Sequence, residues 1–123
     1  MSPVYLAVST HWPSVCFSGD RCFPFHTWDT TCGFQTWEYA GMPTAPSADD
    51  RAFGASVREV WRGLAFDGQL PATMPPVNSS KGFPASYTTL TVDTTVQAVS
   101  NFKTQACQRL QELGLGKQFW WVN

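Results

Sequence analysis

The sequence predicts an α+β single domain over residues 1–123, an antiparallel β-sheet of about four to six strands with two main α-helices packed on it. Three observations predict it. The first forty residues alternate apolar and polar side chains in short runs broken by Gly and Pro. Residues 46–64 spell a helix together with its start signal. After Asp93, apolar residues again recur at steps of three and four.

Residues 4–9 and 15–18 have strand composition, and Gly19-Asp20 supplies a turn. Residues 22–28 are rich in strand formers, with Pro24 assigning them to an edge or a bulge. Residues 32–39 hold the cleanest period-two pattern, with Phe34, Thr36 and Glu38 on one side and Gln35, Trp37 and Tyr39 on the other. This spacing suggests an antiparallel meander. A short linker over 41–46 leads into the first helix.

Ser47 followed by Asp50 fits a capping box, and Asp49 and Asp50 place negative charge where the helix dipole favours it. Phe53, Val57, Val60, Trp61 and Leu64 then share one face, while Arg51, Arg58 and Arg62 form a stripe expected to face solvent. Gly63 and Gly68 bound the far end. Residues 67–86, with Pro71, Pro75, Pro76 and Pro84, read as a surface loop. Residues 87–92 have strand character, or serve as the lead-in to a second helix. That helix is carried by Val96, Val99, Phe102, Ala106, Leu110 and Leu113 and stopped by Gly114. Residues 118–122 are aromatic and β-branched enough for a last strand.

A chain of 123 residues can bury about two-thirds of its unfolded surface, enough for one modest core. Charged residues make up only 14%, against about 25% in an average domain. Six Trp and nine Phe must therefore fill that core and also cover part of the surface. The net charge of −1 argues against nucleic acid as the partner. It is unevenly spread. Residues 1–50 carry Asp20, Asp29, Glu38, Asp49 and Asp50 against Arg21 alone, a net of −4, and residues 51–123 carry a net of +3. An acidic lobe of this kind suits a basic partner. The first twenty residues lack an export signal, and no apolar run approaches a membrane span, so a cytoplasmic chain with reduced thiols and no membrane partner is expected.

Candidate chemistry centres on Cys16, Cys22, Cys32 and Cys107 with His11 and His26. The cysteines contain no close pair of the zinc-binding type. Cys22 and His26 in one extended strand stand about 13 Å apart, too far for a nucleophile and its base. The chain has neither a nucleophile elbow nor a phosphate-cradling glycine loop. No cofactor, no metal and no catalytic residue are expected. A small cytosolic enzyme or ligand- or metal-binding domain using the Cys/His-rich N-terminal strands is the alternative reading. A structural adaptor with an aromatic surface is a third.

The segment from Pro46 to Trp61, with Ser47, Asp49, Asp50, Phe53, Gly54, Val57 and Val60, and then Leu64, resembles a recurring segment of one family of bacterial contact-dependent growth inhibition immunity proteins. The resemblance implies a cytoplasmic, non-enzymatic inhibitor. Its partner would be the C-terminal toxin domain of a protein delivered by neighbouring cells, expected to be a nuclease and hence basic, bound as a 1:1 heterodimer. Binding surfaces vary within that family, so no binding residue carries over from it. Charge and aromatic character select Asp20, Asp29 and Glu38 as steering residues and Trp12, Trp28 and Trp37 as anchors.

Overall fold

A computed structural model describes residues 5–14, 27–38, 45–76 and 88–114. Among them run β1 (Ala7–Ser9), α1 (Trp28–Phe34), α2 (Ala48–Arg62), a π-helical turn (Gly63–Asp67), β2 (Thr88–Val92), β3 (Val96–Ser100) and α3 (Thr104–Glu112). The α+β class is as expected, but among the described residues the sheet has three strands and is mixed rather than antiparallel. Three strands lie in the order β1-β2-β3. β1 runs parallel to β2, pairing Ala7 with Leu90 and Ser9 with Val92. β3 returns antiparallel, pairing Thr88 with Ser100 and Val92 with Val96. Parallel pairing requires a crossover, and α1 and α2 both lie within it. The strands expected over 15–18 and 118–122, and most of that over 22–28, lie outside the described residues.

α2 follows its sequence signals closely. Ser47 caps it: the hydroxyl accepts from the Asp50 amide, and the Asp50 carboxylate accepts from the Ser47 amide. Phe53, Val57 and Val60 face a core completed by Trp28, Cys32, Leu70, Met74, Leu90 and Val92. Full burial of Phe53 alone is worth about 2–3 kcal/mol. The expected inward face stops short of Leu64, which is 41% exposed. Gly63 keeps helical backbone angles instead of ending the helix. The π-helical turn that follows winds more residues per turn, and this rotates Leu64 off the core. Gly68, at φ 66°, is the residue that ends the run. The chain then doubles back: the Leu70 amide donates to the Tyr5 hydroxyl, and Leu70 and Met74 are buried.

Residue 39 lies outside the described residues, and over its described residues, 32–38, the period-two pattern does not form a strand. Its first residues belong to α1, in which Trp28, Thr31 and Cys32 sit at helical spacing and are all buried. Contact with α2 overrides β-propensity here. α1 and α2 cross so closely that a Cβ on Gly54 would run into the Cys32 carbonyl. Arg58 reaches across the same crossing to donate to the carbonyls of Gly33 at 3.1 Å and Cys32 at 3.4 Å. It therefore caps the end of α1, where the sequence placed it on a solvated stripe; Arg51 and Arg62 are exposed as expected. Gln35, in left-handed conformation at φ 58°, ends α1 with its amide on the Cys32 carbonyl.

The second long helix is likewise shorter than expected. Its first part is β3, joined to β2 by the turn at Asp93–Thr95. Val96 and Val99 are β-branched and pair with Val92 and Thr89 of β2. Asn101 and Lys103, both with φ near 58°, break the chain before α3 begins at Thr104.

The close crossing makes a specific prediction. Gly54→Ala should lower the unfolding free energy by about 1–3 kcal/mol through overpacking, although alanine is the better helix former by about 1 kcal/mol. Urea denaturation followed by circular dichroism measures it. A variant as stable as the parent would show that the helices are not in contact at Gly54.

Candidate functional site

The main polar cluster among the described residues is built around Asp50. The capping position places its carboxylate inside the start of α2, where the residue is fully buried. One oxygen accepts from the Ser47 amide at 2.9 Å, the Ser47 hydroxyl at 2.9 Å and the Ser14 hydroxyl. The other accepts from the Ser14 amide at 3.2 Å and lies 3.0 Å from His11 Nε2. Burial alone would raise the Asp50 pKa. The hydrogen bonds from Ser14, the Ser47 amide, His11 and the Ser47 hydroxyl outweigh it and bring the value from 3.8 down to about 2.

His11 continues the network. Its ring stacks on Phe53 at 4.8 Å between centroids, and its Nδ1 lies 2.9 Å from an Asp93 oxygen. Both ring nitrogens thus face carboxylates, which only accept when ionised, and the ring bonds both when it donates from both nitrogens. Asp93 also accepts from the Thr94 amide in the β2–β3 turn. The network ties together residues 11–14, the start of α2 and the β2–β3 turn. The capping role of Asp50 was readable from the Ser47 spacing, but its ties to His11, Ser14 and Asp93 were not, since they join residues 36–82 positions apart.

This arrangement holds the fold together. The Ser14 hydroxyl is turned to Asp50 and not to His11. Cys32 is fully buried. Burial first, then the Asp50 and Asp29 carboxylates, push its thiol far above the ordinary range. Cys16, Cys22 and His26 lie outside the described residues. Among the described residues no three His, Cys, Asp or Glu side chains converge in a way that would hold a metal ion, and no helix is long and apolar enough to cross a membrane.

The residues selected for partner contact differ in burial. Trp12 is 65% exposed. Asp29, in the first turn of α1, is half-buried, and Glu38 is exposed. Trp28 is 1% exposed and belongs to the core, which removes it as a surface anchor. Trp37 packs partly buried against that core, with its ring 6.0 Å from Trp28 in an edge-on arrangement. Asp20 lies outside the described residues. Sequence reasoning missed two exposed aromatics, Phe34 at the end of α1 and Phe66 in the π-helical turn, the latter 84% exposed. Phe34 rests on Trp61 with centroids 5.1 Å apart.

The described surface carries concavities. A groove of ≈ 340 Å³ runs along Tyr5, Leu70, Pro71, Met74 and Pro75. A smaller cleft of ≈ 90 Å³ lies among α1, α2, β1 and the end of β2. Compared with known proteins, the chain matches no family model, and no curated protein or solved structure is significantly similar to it.

The Asp50 network predicts a pH signature. A depressed carboxylate pKa stabilises the fold above its unfolded value of 3.8, and that stability is lost as pH falls toward about 2. Asp50→Asn should cost about 2–3 kcal/mol at pH 6. Its deficit relative to the parent should shrink by about 2 kcal/mol between pH 5 and pH 2. Urea unfolding at a series of pH values measures the difference; a constant deficit would mean that Asp50 is not held ionised by its partners.

Proposed function

We propose that the chain is a cytoplasmic immunity protein that binds and neutralises the C-terminal toxin domain of a contact-dependent growth inhibition system, in a 1:1 complex and without catalysis. The toxin is a basic protein, most simply a nuclease. The observation that carries this reading is the separation of charged groups. Asp50, His11 and Cys32 are buried, Asp50 and His11 bonded to each other and to their neighbours. Asp29 and Glu38, from the half of the chain with net charge −4, reach the surface together with the exposed rings of Trp12 and Phe34. Surface acids steer a basic partner, and exposed aromatics supply contact area that desolvates well. The resemblance of the α2 segment to the immunity family supports the same reading.

Co-expression tests it. Cells producing the product of the gene just upstream should survive only when this chain is present, and the two proteins should co-purify one to one. Failure to protect against any co-encoded toxin overturns the reading. Neutralising the acids as Asp20→Asn, Asp29→Asn and Glu38→Gln together should slow association at low salt by about tenfold, with little difference at high salt. Stopped-flow kinetics reads this directly; an unchanged rate would remove these acids from the encounter.

A further inference from the structure

We infer that the cleft among α1, α2, β1 and the end of β2 receives a single basic side chain, an arginine or lysine, from the partner. This rests on the reading of the chain as a toxin-binding protein and names the chemistry that one part of its surface would grip. Size comes first. Pockets for whole small-molecule ligands run to about 300–1,000 Å³, and this cleft of ≈ 90 Å³ takes one side chain. Its lining comes second. Val57 and Val60 from α2 and Val92 from β2 form an apolar floor, Trp61 an aromatic wall, and Asp29 is the only ionisable residue among the described residues that line it. A norleucine-like stem would cover the valines, and a cationic head would meet the indole and the carboxylate. A neutral apolar side chain would leave Asp29 desolvated without a partner, and an acidic one would be repelled by it.

Two further observations fit this occupant. No ion pair to Asp29 forms among the described residues, so its carboxylate is available to a cation from outside. The aromatic wall is also fixed in place. Phe34 braces one side of Trp61, and Gly33 lets the indole lie against α1, since a Cβ there would stand 2.5 Å from the ring. A cleft held in its binding shape loses little entropy when it is filled.

The test uses the full chain with labelled valine methyls and tryptophan indoles, titrated with N-acetylarginine amide and N-acetyllysine amide and followed by NMR. At least one of the two should shift the Val57, Val60, Val92 and Trp61 signals saturably. N-acetylnorleucine amide and N-acetylglutamate amide should not. Asp29→Asn should weaken binding at least fivefold while leaving the urea midpoint nearly unchanged, and Gly33→Ala should weaken it by displacing Trp61. Absence of a saturable shift, or equal binding of the norleucine probe, overturns the inference. So does a neutralised toxin whose complex is indifferent to both Asp29→Asn and Trp61→Ala, an outcome that leaves the immunity reading standing. If the basic probes bind but no co-encoded toxin is neutralised, the cleft stands and the immunity reading fails.

Discussion

The fold depends on a carboxylate that has no water to turn to. Asp50 is fully buried, and an unpartnered charge in such a place costs several kcal/mol. The chain meets that cost by bringing in donors from two directions. Ser47 supplies them locally, as part of the helix cap. Ser14 and His11 supply them from the segment after β1. His11 then draws in Asp93 from the β2–β3 turn. The need to satisfy one acid thus fixes where the N-terminal segment lies and how the sheet meets the helix. The stacking of His11 on Phe53 joins this polar network to the apolar core, so that the two are assembled together.

The second constraint is the crossing of α1 and α2. A glycine at position 54 lets the helices approach to backbone contact, and Arg58 donates to the Gly33 carbonyl at the end of α1. Trp28 and Cys32 are pressed onto α2 by this approach. The same contact sets the surface. Gly33 and Phe34, at the end of α1, position Trp61 of α2. Interior packing therefore decides which aromatic groups remain available outside.

What could be read from the sequence follows the range of the forces involved. The capping box and inward face of α2 are local, and Ser47, Asp50, Phe53, Val57 and Val60 take their expected roles. β1 and β2 also fall where strand composition placed them. α1 was hidden because its residues, Thr30, Thr31 and Phe34 among them, favour strands by composition, and only the face against α2 makes them helical. Val96 and Val99 misled in the opposite direction. Their spacing of three fits a helix, but pairing with β2 places them in β3. The mixed sheet was equally hidden, because the pairing of β1 with β2 joins residues more than eighty positions apart. At the surface, composition selected three tryptophans without distinguishing their fates, and Trp28 went to the core.

Scarcity of charge sharpens the functional reading. With 14% charged residues, each ionisable side chain carries a larger share of the local field than it would on an ordinary surface. Asp50, His11 and Arg58 are committed to internal bonds, and Arg109 and Glu112 pair with each other on α3. An acid beside apolar floor and indole wall, as at Asp29, is then the kind of feature that discriminates among partners. Its attraction acts in a partly desolvated setting, where screening by salt is weaker than on open surface. Distant steering by exposed acids such as Glu38 would fade with ionic strength, whereas a cation seated against Asp29 and Trp61 would keep most of its hold. Encounter and retention would then respond differently to salt, the first through the whole acidic half of the chain and the second through a single cleft.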